Sequence, residues 1–363
     1  MPEGHTVHRL ARTFDELFAG QVLRVSSPQG RFADGAALLD GHVLVAAEAW
    51  GKQLFLGFAP VSESRWALAH QASDTTAERW LRVHLGLYGA WTFAGDGSAA
   101  VVHAIGAPRK RVGERETALS PELSGPDRGI PRPGPDNSRE EAGQEWGPPA
   151  PRGAVRVRLR GAHAVADLTG PTACEVVTPD EKAAVEARLG PDPIRPDGGH
   201  ASLEEARAAF VARVRRSRVA VGQQLMDQAV VAGVGNIYRA EVLFRAGVDP
   251  LRPGRDVPAA VLGQVWDDLV ALMRDGAATG AIVTTRPEHR DASVPDGGPG
   301  AGAPGVTRRR TRQNTDGTPG AVPHDEAFYV YHRDGLPCRV CGSPVLTKEL
   351  AGRNLFWCGT CQA

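Results

Sequence analysis

Gln224-Leu225-Met226-Asp227-Gln228-Ala229-Val230-Val231-Ala232-Gly233-Val234-Gly235-Asn236-Ile237-Tyr238 lies past the middle of a 363-residue chain. Apolar residues at helical spacing lead to Gly233 and resume after Asn236, so the segment predicts a helix, a two-glycine turn and a second helix. The glycines permit positive φ and close approach of another backbone. Asn236 opens the second helix, where free amides and the positive end of the dipole suit a phosphate. Just upstream, Arg207, Arg213, Arg215, Arg216 and Arg218 concentrate positive charge with few acids nearby. A glycine turn between helices is common, so by itself this is a weak sign of nucleic acid.

Moving outward, helical spacing covers 202–216, 221–231, 236–245 and 258–275. Towards the C-terminus, Phe328-Tyr329-Val330-Tyr331 reads as a strand leading into Cys338-x2-Cys341-x16-Cys358-x2-Cys361. Two Cys-x2-Cys knuckles at that separation fit one structural Zn2+ with four cysteine ligands. Residues 343–357 between them are long enough for a β-hairpin packed by Val345, Leu346, Leu355 and Phe356. Arg353 falls near the hairpin's tip, where a rigid arginine reaches phosphates and an ordinary one is simply solvated. Cys174, the fifth cysteine, reads as a small packing residue. Clustered cysteines argue for metal in a reducing compartment and against a disulfide framework.

Before the helical region, short β-type runs at 22–26, 42–49, 53–58, 66–70, 80–85, 90–93, 155–160 and 163–167 suggest an antiparallel sandwich or barrel. Two stretches rich in Pro, Gly and charge interrupt the chain, at 108–151 and 287–323, and neither can bury a core. The second carries Arg308-Arg309-Arg310-Thr311-Arg312, a block that usually marks solvated linker rather than a DNA-binding arm. The expected domains are therefore 1–169, a linker at 170–194, a helical domain at 195–286, a linker at 287–323 and the cysteine module at 324–363. The class is α+β and multidomain. Forty-two basic and 42 acidic residues cancel, so overall charge points to no polyanionic partner. No signal peptide and no apolar run of about 18 residues occurs, and a soluble cytoplasmic protein is expected.

The N-terminus reads Met1-Pro2-Glu3-Gly4, followed by Val7, Leu10, Phe14, Leu17 and Phe18 at helical spacing and Gly20 as a stop. Trimming of Met1 exposes Pro2, a secondary amine. An α-amino group titrates near 8 against about 10.4 for lysine, so near neutral pH it is roughly a hundredfold richer in the nucleophilic form. Attack on a sugar C1′ gives an iminium, an electron sink for elimination of phosphate, and Glu3 can shuttle the protons. The plain alternative is a helix-start proline with Glu3 complementing the dipole from the first turn. Lys52, one of four lysines in the chain, stands in Gly51-Lys52-Gln53-Leu54-Phe55 as edge protection, or as a general acid or phosphate contact. At its reference pKa it is almost wholly protonated.

Six segments in order resemble the formamidopyrimidine-DNA glycosylase/endonuclease VIII (Fpg/Nei) family of base-excision repair enzymes. They are Pro2-Glu3-Gly4, Gly51-Lys52-Gln53-Leu54-Phe55, His84-Leu85-Gly86-Leu87-Tyr88-Gly89, Gly190-Pro191-Asp192-Pro193, residues 225–244, and His332-Arg333-Asp334-Gly335 running into the cysteines. The resemblance implies a monomeric clamp: an N-terminal helix plus antiparallel β-sandwich, a helix-two-turns-helix domain and a zinc β-hairpin, with damaged DNA between them. It implies Pro2 as Schiff-base nucleophile, Glu3 as proton donor and acceptor, and Lys52 near the lesion sugar. Asn236 and Arg353 grip phosphates, and Leu87 and Tyr88 fill the gap left by the flipped nucleotide. It implies no organic cofactor and no membrane. Pro2-Glu3-Gly4, Leu87-Tyr88-Gly89 and His332-Arg333-Asp334-Gly335 resemble the endonuclease VIII branch, which implies oxidised pyrimidines as preferred substrates. Thr6 stands where many members carry a second glutamate, and Gly86 where some carry glutamine. A DNA-binding clamp without chemistry and a tautomerase-like use of Pro2 are the competing readings.

Overall fold

A computed structural model describes residues 2–61, 76–98, 104–106, 146–290, 322 and 324–363. The strand expected at 66–70, residues 108–145 and 291–321 of the low-complexity stretches, and with them Arg308 to Arg312, lie outside the described residues.

Helix α1 (Gly4–Phe18) buries Val7, Leu10, Phe14, Leu17 and Phe18, the one-sided stripe that 3.6-residue spacing predicts. Phe14 meets Trp91 edge-on at 4.7 Å between ring centroids, anchoring the helix to the sheet beneath. Glu3 lies before the first turn rather than in it, and its side chain does not cap α1. That carboxylate is engaged elsewhere, as described below.

Strands β1 (Val22–Ser26), β2 (His42–Trp50), β3 (Gln53–Ala59), β4 (Arg79–His84), β5 (Ala90–Gly95), β7 (Val155–Arg160) and β8 (Ala164–Thr169) fall on the predicted β-type runs. Helix α2 (Ala33–Leu39) and strands β6 (Ala104–Gly106) and β9 (Ala173–Val177) carry too little periodicity to be read from sequence. The strands join antiparallel in the order β6-β5-β8-β7-β1-β2-β3-β4-β9. Val22 and Leu23 of β1 pair with β2, whereas Arg24, Val25 and Ser26 pair with β7. One strand thus turns the corner between two sheets, and the main apolar core fills the space they enclose with α1. Cys174 packs against that core, and burial pushes its thiol up to about 12, so it is inert.

The second half is helical. Helix α3 (Pro179–Glu186) opens on a capping box between Thr178 and Glu181. Then come α4 (Leu203–Arg215), α5 (Val221–Gln224), α6 (Asn236–Arg245) and α7 (Ala259–Thr279), packed around Phe210, Tyr238 and Trp266. Here the helix expected at 221–231 shrinks to a single turn. Asp227 Oδ1 accepts from Ala229 N, and the Gln228 side chain accepts from Gly233 N and donates to Val234 O. Side chains that bond the local backbone in this way compete with helical hydrogen bonds. Arg207 also departs from the expected basic group, because it pairs with Asp267 on α7.

Phe328 to Tyr331 is not a strand either. The buried Glu241 carboxylate accepts from the consecutive amides of Tyr329, Val330 and Tyr331 at 2.8–2.9 Å, and from the Thr284 hydroxyl. Strand amides point alternately to opposite sides, so three aimed at one carboxylate cannot belong to a ladder. The segment instead leads into the hairpin of β10 (Leu346–Leu350) and β11 (Arg353–Trp357).

Glycines bring the two halves together. Gly4 N donates to Gly233 O at 2.8 Å. A Cβ added to Gly4 would lie 2.8 Å from Gly233 Cα, and one on Gly51 2.8 Å from Gly233 N. Three backbones therefore meet at a distance only glycine allows. Beside them the buried Asp192 accepts from Gly51 N at 2.6 Å and pairs with His8 at 2.7 Å. Among the described residues no helix is long and apolar enough to cross a membrane.

Candidate functional site

At the meeting point of α1, the β2–β3 turn, the β4–β5 loop and the cysteine hairpin is an open cavity of about 240 Å3. Its walls include Pro2, Lys52, His84, Leu87, Thr172 and Arg353. Pro2 enters because it precedes α1, whose head is pinned to Gly233. Lys52 enters because Gly51, at φ 58°, makes the turn between β2 and β3.

Glu3 is buried beside this cavity, only 1% exposed. Its two oxygens accept from Gly235 N and Ile237 N, each at 2.8 Å. The N-terminus of α6, expected from sequence to offer its amides to a phosphate, thus holds the protein's own carboxylate. Burial raises the pKa of Glu3, with the Lys52 charge and the two amides opposing. Such an acid is poised for proton transfer nearer neutrality than an exposed glutamate.

Lys52 donates to Val234 O at 2.7 Å. Burial depresses its ammonium to about 8, the Glu3 carboxylate opposing and Arg353 assisting. The ordinary, almost wholly protonated lysine expected from sequence is therefore corrected: at pH 7 roughly a tenth is neutral. Nothing in the sequence around Lys52 signals its burial, which comes from the helical half.

Arg353 is half-buried at the start of β11. Leu350 pairs with Arg353 across a two-residue turn in which Ala351 and Gly352 have φ of 51° and 73°. Such turns match the twist of a hairpin, and this one aims Arg353 at the cavity. Asn236 does not line the cavity. Its side chain donates to Asn354 O at 3.0 Å, and the fully buried Arg239 donates to the same carbonyl at 2.9 Å and to Asn236 Oδ1. These bonds fasten the hairpin's tip to the head of α6. Leu87 lines the cavity while Tyr88, 63% exposed, projects beside it.

Sequence reading passed over His84, Thr172 and Arg239 as site residues. His84 lay in a segment already singled out, and burial together with the charges of Lys52 and Arg82 lowers its pKa. Thr172 belongs to a crossover with no sequence signal. Arg239 is buried at its helix position, which the sequence does not display.

The four cysteine sulfurs lie within 4.8 Å of one another. Cys338 Sγ and Cys361 Sγ are 3.9 Å apart, and Cys341 Sγ and Cys358 Sγ 3.4 Å. Zn–S bonds of about 2.3 Å in a tetrahedron require sulfurs about 3.8 Å apart, so this donor set fits one structural zinc. Cys338 and Cys358 pack with Val345 and Phe356 in a small core that Ala240 and Phe244 of α6 help to close. With so little apolar surface to bury, the module's order depends on the metal. Cys341→Ser is expected to lose the zinc and loosen the hairpin that carries Arg353, while the β-sandwich stays folded. Metal content and near-ultraviolet circular dichroism test this. One retained zinc with an unchanged spectrum is the contrary result.

Family models match most of the described chain. The formamidopyrimidine-DNA glycosylase N-terminal domain matches residues 1–119, the formamidopyrimidine-DNA glycosylase H2TH domain 189–287, and the zinc finger found in FPG and IleRS 335–363. Endonuclease 8 1 of Mycobacterium tuberculosis is 39% identical over 364 residues, covering 100% of both chains. Formamidopyrimidine-DNA glycosylase of Geobacillus kaustophilus is 32% identical over 48% of this chain and 52% of its own. Among solved structures, Lactococcus lactis FPG with Fapy-dG-containing DNA superposes with a TM-score of 0.60 at 17% identity, covering 99% of each chain. The MutM (FPG) protein of Thermus thermophilus gives 0.59 at 22%, covering 99% of this chain and 98% of that one. Those last two likenesses show the fold alone. The full-length identity to Endonuclease 8 1, together with the family models, shows that this chain belongs to the formamidopyrimidine-DNA glycosylase/endonuclease VIII family.

Proposed function

We propose that the protein is a bifunctional DNA glycosylase and abasic-site lyase of base-excision repair, acting as a monomer on damaged DNA and favouring oxidised pyrimidines. One observation carries the reading: Pro2, Lys52 and Arg353 share a cavity that has Glu3 clamped beside it. Neither a clamp without chemistry nor a small-molecule tautomerase needs that combination. The pyrimidine preference rests on the endonuclease VIII-like segments and the Endonuclease 8 1 relative.

In the reaction, the neutral Pro2 nitrogen attacks C1′ of the flipped nucleotide as the C1′–base bond breaks, and the departing base takes up the proton that the Pro2 nitrogen sheds. Glu3 gives a proton to the sugar ring oxygen, the ring opens, and an iminium links C1′ to Pro2. The Glu3 carboxylate then takes a proton from C2′ and the 3′ phosphate is expelled, the iminium acting as electron sink. Lys52 and Arg353 hold neighbouring phosphates, and the zinc keeps the hairpin that carries Arg353 in place. Asn236 assists this grip from the head of α6, and Leu87 and Tyr88 occupy the gap. The direct test is borohydride reduction on an abasic-site oligonucleotide. A lyase yields a covalent adduct, and a merely binding clamp yields none.

The clamp on Glu3 gives a sharper test. A Cβ at Gly235 would lie 2.5 Å from Glu3 Cδ, while its φ of −126° suits alanine. Gly235→Ala is thus expected to displace the carboxylate with little backbone strain. Base excision should fall by about a hundredfold, the scale of a 1 Å misplacement. Single-turnover excision beside a thermal melt checks it, and unimpaired excision would mean that the clamp does not position Glu3.

Lys52 supplies a pH signature. Its pKa of about 8 lies below the usual lysine value, so the ammonium is present below that pH and lost as pH rises through it. On the alkaline side, kcat/KM for abasic-site cutting should therefore fall as pH rises through about 8. Lys52→Arg keeps the charge, so its alkaline fall should move up by about two units or more. An identical fall in the variant argues that Lys52 is not the group titrating.

A further inference from the structure

Two crossovers run side by side from one sheet to the other. His84 at the end of β4 pairs with Ala173 at the start of β9, and Ala90 at the start of β5 pairs with Thr169 at the end of β8. Loop 85–89 therefore lies along the three residues Gly170, Pro171 and Thr172, and Thr172 N donates to His84 O at 2.9 Å. The fit between them is close. A Cβ on Gly86 would stand 1.8 Å from Thr172 Oγ1, and a Cβ on Gly170 would stand 3.0 Å from Tyr88 O. Both glycines have positive φ, 66° and 62°, so neither position accepts a side chain cheaply.

The Thr172 hydroxyl thus occupies the space that a side chain at 86 would take. Thr172 is exposed and lines the cavity beside Pro2, Lys52 and Arg353. Among the described residues the hydroxyl makes no hydrogen bond. It stands at the root of the loop that projects Leu87 and Tyr88.

We propose that Thr172 is a DNA-contacting specificity residue: its hydroxyl takes the place of a side chain at 86 and hydrogen-bonds the nucleotide opposite the vacated position. The inference rests on the reading that Leu87 and Tyr88 fill the gap in damaged DNA. A hydroxyl rotates, and it can donate or accept. An amide presents a fixed donor and a fixed acceptor, which is how Asn and Gln select a base edge. A threonine at this place therefore makes the enzyme tolerant of whichever base lies opposite the lesion.

The experiment measures excision of 5-hydroxyuracil placed opposite each of the four bases, with borohydride trapping on abasic duplex as a control. The wild-type values of kcat/KM should agree across the four within about threefold, a spread expected of a group that pairs with any base edge. Thr172→Ser should match wild type. Thr172→Val keeps the shape against Gly86 and removes the hydroxyl, so kcat/KM should drop up to about tenfold with every opposite base, through KM. Thr172→Asn should spread the four values apart. Melting temperature should stay level in all variants and the loss should fall on KM rather than kcat, which a buttressing role alone would not predict. Thr172→Val at wild-type efficiency, serine as poor as valine, or a wild-type spread beyond about tenfold overturns the proposal. Absence of a trapped adduct with the wild type would instead overturn the parent reading of the site, and this inference with it.

Discussion

A protein whose Pro2 is converted to an amide by an N-terminal extension is expected to bind abasic duplex and yield no borohydride-trapped adduct at neutral pH. An amide nitrogen has its lone pair delocalised into the carbonyl and cannot attack C1′. DNA affinity should persist, because the proposed phosphate contacts of Lys52 and Arg353 are untouched. Strand cutting should disappear together with trapping. The contest is with Lys52, the other amine lining the cavity. Its depressed pKa of about 8 makes it a stronger rival than sequence suggests. Against it, Lys52 Nζ is hydrogen-bonded to Val234 O, and as a phosphate contact it works as the ammonium. Trapping should therefore stay absent even near pH 8, where half the lysine is neutral. Efficient trapping by a protein verified as blocked would transfer the nucleophile's role to Lys52. Intact-mass measurement of the unblocked protein must also show removal of Met1, since only then is Pro2 an amine.

Glu3→Gln should separate the two chemical steps. The amine at Pro2 remains, so cutting at a preformed abasic site survives in part. Excision of a damaged base needs proton transfer to the sugar and should fall by about 10²–10⁴-fold, the usual contribution of a positioned acid or base. Stability changes too. The carboxylate accepts from Gly235 N and Ile237 N, and an amide can present its oxygen to only one of them while its NH2 faces the other. An unsatisfied buried donor costs about 1–3 kcal/mol. A thermal melt alongside single-turnover kinetics separates this loss from the chemical one. Wild-type excision in a variant confirmed by mass would remove Glu3 from the reaction.

The sequence laid out much of this protein unaided. Helix α1, seven of the strands, α6 and the cysteine hairpin follow from local periodicity and spacing, because each is set by neighbours along the chain. The zinc ligands are legible for the same reason: Cys-x2-Cys is a local turn that aims two sulfurs at one point. The motif segments pointed to Pro2, Glu3 and Lys52, and the structure sets them around one cavity.

Elsewhere local signals misled. Helix 221–231 broke because the Asp227 and Gln228 side chains take up nearby backbone groups. The strand at 328–331 gave way to Glu241, which is 88 residues away from Tyr329 in the chain. Only tertiary structure decided that the amides heading α6 hold Glu3, that Lys52 is buried enough to lose its proton near pH 8, and that Thr172 fills the place of a side chain at Gly86. Each of these depends on groups far apart in sequence brought within about 3 Å, where desolvation and steric exclusion act. Spacing along a chain records which residues share a helix face or a metal. It holds no record of how dry a side chain becomes when another domain closes over it.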